Sequence, residues 1–438
     1  MEGQAAHVFS ARHPVTDTAI NKPSARLSRG VSRWTLPKNI LAALRPVAGV
    51  FLWSRATIWV VALFALLVFE PNRSRSPVSL RSMDRELTHD IGYWADVWAH
   101  WDSVWFLQIA HSGYGVSPQA SAFYPLYPAL IAILGRIFLG HYVLAGIIVS
   151  LLATLASFAL LYRLAEKLID QEGAERAVVY LAVFPMALFL QAVYSESLLL
   201  ALMLAAFLFA ERKRWFIAWF FAGLALLTRL AAVALIPALL LLAWRSPDRR
   251  RALIGLLLVP FEFALFPLAL WKMTGDPLGF ISSEKIWSRH IALAGPLTGL
   301  CEGTKQGILG LVRVATHQPV DGRQYANGPD SDLLTSAFNV QAFLYLIIFL
   351  FLAVIVWRRF GAVYGLFTAC CLAIPLSSPN TSGWPLLSLP RFGLTIFPLF
   401  LALAVLGQRP RVHFAIVGVS AIMLGLAVVQ WALWQWMG

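Results

Sequence analysis

The chain has 438 residues, 59% of them hydrophobic and only 13% charged, with a mean hydropathy of +0.70. Apolar runs recur from about position 48 to the C-terminus, which excludes a soluble globular enzyme and predicts an all-α, polytopic transmembrane helical bundle. The formal charge of +13 would suit nucleic acid, but the basic residues fall in short clusters between apolar runs, where they set orientation, so no nucleic-acid partner is expected.

Residues 1–47 carry seven Lys/Arg against Glu2 and Asp17 and are rich in Ser and Pro, the composition of a flexible cytoplasmic tail. No cleavable signal peptide is visible, because the first long apolar run begins too late. Residues 48–438 are expected to form a single transmembrane domain. The first span, about Gly49 to Phe69, delivers the chain to the far side, where residues 70–122 form a long external loop. The run FYPLYPALIAILGRIFLG that follows is broken by Pro125 and Pro128 and is predicted to be a juxtamembrane or re-entrant helix, because only then do the later basic clusters all face inside.

Spans are expected next at about 142–162 and 177–193, then from the YSES run back to the Glu211–Arg214 cluster. Two short spans flank Arg229, and another runs from about Ala252 to Met273. Residues 274–337 make a second external loop, rich in Gly and Pro. Three crossings near 338–357, 361–376 and 392–407 and a last one near 413–435 bring the count to about eleven, with the N-terminus inside and the C-terminus outside. Trp431, Trp434 and Trp436 are then expected near an interface.

This threading puts Asp96, Asp102, Ser195, Glu196, Lys285, Arg289 and Arg391 on one external face, as for a single cavity. Asp102, in His100-Trp101-Asp102, is the candidate general base, since a carboxylate held against aromatic rings becomes a better proton acceptor. Capping of the following helix by Asp102, with the tryptophans as headgroup anchors, explains the same residues equally well. Asp96 competes for the base role and has a structural alternative. His100 and His111 lack a convergent ligand pattern, so hydrogen bonding or substrate contact is preferred to a metal. Only Cys301 and the adjacent Cys370 and Cys371 are present, which offers no disulfide framework or metal spacing.

Tyr124 and Tyr127 are candidates for substrate contact or for ordinary interfacial anchoring. In Tyr194-Ser195-Glu196-Ser197, capping by Ser195 with Glu196 in the first turn accounts for the sequence, though an acid placed there could also bind sugar hydroxyls. Arg229 lies within about 30 otherwise apolar residues and needs an anion or a water-filled cavity, a lipid-linked phosphate being the natural choice. Arg391, Lys285 and Arg289 are the other external cations, each with a plain interfacial alternative.

HWDSVWFLQIAHSGY followed by AFYPLYP, then FPMALFLQAVYSES, LLTR and LPRF, resembles the PIG-V family, whose eukaryotic members are GPI mannosyltransferase 2. The resemblance implies a GT-C-like glycosyltransferase that takes mannose from a polyprenyl- or dolichyl-phosphate-linked donor, inverts the anomeric centre and delivers it to a glycolipid or glycan acceptor. It maps the family's acids to Asp102 and Glu196 and its arginines to Arg229 and Arg391; His100 and Trp101, next to Asp102, are candidate substrate contacts. No cofactor is required, and a divalent metal is left open. Ser103 stands where the family commonly has Gly, and Leu230-Ala231 where it has an Asn-Gly-like pair, which leaves the acceptor open. An integral multi-pass protein of a bacterial plasma membrane is preferred to one of the endoplasmic reticulum, with the site extracytoplasmic. The competing classes are a lipid or glycolipid transporter or flippase and a noncatalytic scaffold; paired inverted halves would favour transport, and none is visible.

Overall fold

The structure, a computed structural model, describes residues 40–69, 87–283, 288–316 and 331–435. Leu41–Gly438 form one unit, and most of the expected basic tail lies outside the described residues. The first helix already begins at Ile40 and runs to Val68 (α1), so the tail ends sooner than its composition suggests. Among the described residues the secondary structure is helical, with a single isolated bridge between Arg289 and Asn380.

Five helical stretches are long and apolar enough to cross a membrane: Leu44–Val68 within α1, Tyr142–Leu168, Arg249–Thr274, Leu334–Phe360 and Pro410–Ala432. At 1.5 Å per residue each reaches about 30 Å or more. The protein is an integral membrane protein. The other six predicted crossings fall on shorter helices, from 9 residues at Pro398–Leu406 to 16 at Glu196–Glu211. The FYPLYP run becomes a 12-residue helix, Leu126–Ile137, about 18 Å long and too short to cross.

In chain order the labels used below are Ser103–Ser112 (α2), Leu126–Ile137 (α3), Tyr142–Leu168 (α4), Gln171–Val183 (α5), Glu196–Glu211 (α6), Trp215–Leu226 (α7), Leu235–Trp244 (α8), Arg249–Thr274 (α9), Pro296–Thr316 (α10), Ser331–Phe360 (α11), Ala362–Ser377 (α12), Leu389–Gly393 (α13), Pro398–Leu406 (α14) and Pro410–Ala432 (α15). Local chemistry sets several ends. Asp170 caps α5 through Gly173 N–H at 2.6 Å, and Asp90, from the first loop, accepts from Val143 N–H at 3.0 Å at the start of α4. Gly275, in the left-handed region at φ 78°, ends α9. At the opposite ends, Lys167 pairs with Glu211 at 2.6 Å and Tyr364 donates to the same carboxylate, joining α4, α6 and α12.

The predicted third span is not one helix. It stops at Val183, and the backbone stays non-α-helical and buried as far as Ser195. Unpaired peptide groups are costly away from water, so such a stretch survives only where groups from elsewhere in the fold satisfy it. Here they come from three neighbours. Arg55 on α1 donates to the carbonyls of Ala182 and Ala187 at 3.2 and 2.9 Å. Thr154 and Ser150 on α4 donate to Leu190 and Ala192 at 2.6 and 2.8 Å. Val193 N–H donates to the Trp98 carbonyl at 2.9 Å, which ties the break to the loop after α1.

That loop is also pinned by α15. Trp431 is fully buried, donates from Nε1 to the Val97 carbonyl at 2.6 Å, and lies beside the His100 ring with centroids 5.4 Å apart. Trp434 is buried as well and packs on His100 and Trp101. The two tryptophans expected at an interface are instead core residues of the loop, because they fill the space beneath it; Trp436 lies outside the described residues. The second predicted loop also differs: residues 296–316 are helical and pack along α11 rather than standing free.

Candidate functional site

Four charged side chains from four segments meet in one chain of ion pairs. Asp102 Oδ2 accepts from Arg391 Nη1 at 2.9 Å, Arg391 Nε lies 3.3 Å from Glu196 Oε1, and the same Glu196 oxygen pairs with Arg229. The middle is buried and the ends are open: Glu196 and Arg391 side chains are 1% and 5% exposed, Asp102 and Arg229 18% and 25%. Alternating charges make the burial tolerable, since an unpaired ion at that depth would cost several kcal/mol.

Local folding puts each group in place. Trp101 adopts the left-handed region, φ 56°, turning the chain so that Asp102 enters α2 at its first turn. The Tyr194 hydroxyl braces this turn, accepting from Asp102 N–H at 3.1 Å and donating to the His100 carbonyl at 3.4 Å. Ser388 has a similar left-handed backbone, φ 66°, just before α13, which carries Arg391. Non-glycine residues are held in this region only where the surroundings compensate, and both here adjoin the ion pairs. Glu196 opens α6 as its first residue. Arg229 is extended, φ −166°, in the gap between α7 and the 3₁₀ turn before α8, where Leu126 N–H caps the Leu227 carbonyl at 2.9 Å.

Aromatic rings enclose the cations. The Arg391 guanidinium lies 5.4 Å from the ring centres of both Phe189 and Tyr194. Phe392 faces three guanidiniums, Arg229 at 5.1 Å, Arg391 at 5.7 Å and Arg289 at 5.8 Å. Burial alone would lower the Arg391 guanidinium; Glu196, then Asp102, then Tyr194 outweigh it and hold it above the ordinary arginine range, firmly charged.

Asp102 therefore does not stand alone against aromatic rings as the sequence suggested; it is ion-paired, and among the described residues Oδ1 has no partner. Neither capping expectation matches, because Asp102 and Ser195 make no side-chain cap bond. Glu196 Oε2, Ser103 Oγ and Ser197 Oγ are buried without hydrogen-bond partners among the described residues, which leaves polar capacity here beyond what the ion pairs use.

The other expected residues fall elsewhere. Asp96 is outside the ion-pair chain: its carboxylate accepts from the backbone N–H groups of Asp90, Ile91 and Gly92 at 3.1, 3.4 and 3.2 Å and folds the loop on itself. His100 is buried, with Nδ1 3.2 Å from the Trp431 carbonyl oxygen, while His111 is exposed beside Ser112. Tyr127 is fully buried and bonds Ser150 at 2.7 Å and the Gly146 carbonyl at 3.2 Å; Tyr124 packs on Phe266 with ring centres 4.9 Å apart. Both are core residues rather than interfacial anchors. Arg289 donates to the carbonyls of Ser378 and Leu387 at 3.1 and 2.7 Å, holding the strand of chain that leads to α13. Lys285 lies outside the described residues. Among the described residues no three His, Cys, Asp or Glu side chains are grouped to hold a metal.

Sequence reasoning missed Arg55, Tyr194 and Phe392. Arg55 carried the same signal that drew attention to Arg229, an arginine inside an apolar run, but its anchoring of a helix break could not be read from spacing. Phe392 gave no signal at all, because one phenylalanine among 29 becomes a platform only through tertiary contact.

With this geometry in view, comparison with known proteins adds a family likeness. Residues 119–271, about a third of the chain, match the model of the dolichyl-phosphate-mannose-protein mannosyltransferase family. That stretch contains Glu196 and Arg229 but neither Asp102 nor Arg391. No curated protein matches the chain. Among solved structures, the chain is similar to the Archaeoglobus fulgidus oligosaccharyltransferase with zinc and sulfate, at 14% identity and a TM-score of 0.40, covering 85% of this chain and 53% of that one. The apo form gives 15%, 0.39, 86% and 56%. The same organism's oligosaccharyltransferase AglB, in complex with an inhibitory peptide and a dolichol-phosphate, gives 15%, 0.37, 87% and 55%. The chain thus spans about half the length of these enzymes, and no function follows from a likeness at this level.

Proposed function

We propose that the chain is a GT-C-type membrane glycosyltransferase that moves mannose from a polyprenyl-phosphate donor to a hydroxyl of a glycolipid or glycan acceptor, at the extracytoplasmic face. The observation that carries this reading is the ion-pair chain with one open carboxylate oxygen at one end and one accessible guanidinium at the other. The family likeness over residues 119–271 supports it from the sequence side. Within that reading the PIG-V resemblance names the finer family, and the acceptor stays a class.

The chemistry divides between the two ends. The acceptor hydroxyl attacks the mannosyl C1 while Asp102 Oδ1 takes its proton; the bond from C1 to the phosphate oxygen breaks, and polyprenyl phosphate leaves as an anion. Attack from the face opposite the phosphate inverts C1. Arg229, partly exposed and with only one of its nitrogens engaged by Glu196, receives the leaving phosphate. Arg391 has a different part from the one its sequence suggested. Buried and committed to both carboxylates, it positions Asp102 and keeps the second oxygen turned to substrate. Glu196 in turn holds Arg391 and Arg229 apart at fixed spacing. Arg289 supports α13 through backbone carbonyls, and Phe392 aligns the three arginines.

The direct test is incubation of purified protein with labelled polyprenyl-phosphate-mannose and membrane lipid extract. A labelled glycolipid or glycan formed together with free polyprenyl phosphate is expected. Donor that moves between vesicle leaflets unchanged, with no labelled product, would favour a flippase instead.

A further inference from the structure

Helix α10 has three distinct sides. On a 100° per residue wheel, Gly299, Gly303, Gly307 and Gly310 share one face, and all four are buried. A Cβ at Gly307 would lie 2.5 Å from Phe343, one at Gly310 2.7 Å from the Ser336 carbonyl, and one at Gly303 2.6 Å from Leu386, so this face fits closely on α11 and the Leu386 loop. Roughly opposite, Leu297, Cys301, Ile308, Leu311 and Val312 fall within an arc of about 100°, and all are exposed, Leu297 at 62% and Val312 at 55%. Glu302, Lys305 and Arg313 occupy the remaining side. The helix is therefore closed by protein on one side, apolar and uncovered on another, and charged on the third.

Its depth follows from its partner. Gly310 faces Ser336 and Val340 and Gly307 faces Phe343, so α10 runs antiparallel to the first half of α11. Arg358 and Arg359 mark the far end of α11, and a hydrocarbon layer of about 30 Å counted back from them covers about 20 residues, reaching roughly position 338. The level of Phe343 is then inside the hydrocarbon, and the N-terminal half of α10 packs on Leu376, at the end of α12, and on Leu386. From Leu344 onward, α11 exposes Leu344, Ile347, Ile348 and Phe351, the lipid-facing surface of a membrane span.

We propose that α10 is a membrane-inserted wedge, with Leu297, Cys301, Ile308, Leu311 and Val312 on phospholipid acyl chains of the leaflet nearest the ion-pair site. Its glycine face carries the loop through Leu386 that leads into α13, so one rigid helix joins the bilayer to the segment bearing Arg391. This placement does not depend on the transfer chemistry proposed above.

Native Cys301 supplies the probe. With Cys370→Ala and Cys371→Ala, the protein is labelled at Cys301 with a polarity-sensitive fluorophore and reconstituted into phosphatidylcholine/phosphatidylglycerol vesicles; a second protein carries Cys301→Ser and Lys305→Cys. The wedge predicts blue-shifted emission at position 301, quenching by acyl-chain spin-labelled lipid and reaction with a charged maleimide about tenfold slower than at position 305. Equal, fast reaction at both positions, with quenching only by aqueous iodide, would overturn it. Protection of Cys301 that vanishes as the protein-to-lipid ratio falls would also overturn it, by showing that a second copy rather than lipid covers the face.

Discussion

Two aspartates six residues apart in the loop after α1 show how differently one sequence motif can be used. The Asp96 carboxylate is filled by three backbone N–H groups of its own loop, which makes it a fold-forming residue with little left to offer a substrate. The Asp102 carboxylate has one oxygen held by Arg391 and the other open, on a turn that Tyr194 braces from a distant segment. Both sit among tryptophans in an aromatic, partly buried stretch, so composition cannot separate them. What separates them is which hydrogen-bond donors reach each oxygen, and for Asp102 those donors come from nearly 300 residues away.

The sharpest break between the two should come from Asp102→Asn. If this group takes the acceptor proton, transfer falls by about 10²–10⁴-fold, the usual worth of general-base catalysis, while binding of labelled donor stays near wild type. Next comes Glu196→Ala, which leaves Arg391 and Arg229 without their shared partner. Removing one member of a buried pair costs about 3–5 kcal/mol, so a drop in the thermal unfolding temperature in detergent larger than that of Asp102→Asn is expected. Arg229→Ala should act mainly on the donor, raising KM for polyprenyl-phosphate-mannose about tenfold or more with a smaller change in kcat, the pattern of a lost phosphate contact. The smallest effect is expected at the other aspartate. Asp96→Asn weakens hydrogen bonds worth about 1 kcal/mol each, which should lower stability modestly and leave kcat close to wild type. A large loss of kcat in that variant, at unchanged stability, would erase the distinction between the two aspartates.

How much of this was legible from the sequence depended on the range of the interaction. The membrane class follows from composition, and the five long helices lie where apolar runs exceed about 20 residues. Asp102, Glu196, Arg229 and Arg391 stood out because charge is expensive near an apolar environment and must be explained. Their pairing was not legible, since it joins residues 102, 196, 229 and 391 through backbone turns at Trp101, Ser388 and Thr228-Arg229 that carry no strong local signal. The unwound stretch before Glu196 was hidden for a related reason. Phe184–Tyr194 reads as ordinary apolar span, and Arg55, Thr154 and Ser150, reaching from other helices, together with the Trp98 carbonyl, satisfy its non-helical backbone. Tyr127, Trp431 and Trp434 illustrate the converse error: aromatic residues near a membrane boundary suggest anchoring, but here they fill space in the core around the loop that carries Asp102.

The central claim is that Asp102 removes a proton from an acceptor while a lipid phosphate leaves toward Arg229. Single-turnover transfer from labelled polyprenyl-phosphate-mannose, measured for wild type and Asp102→Asn at equal donor occupancy, tests it most directly. The account predicts rapid product formation in the first and essentially none in the second. Equal rates in the two would contradict it.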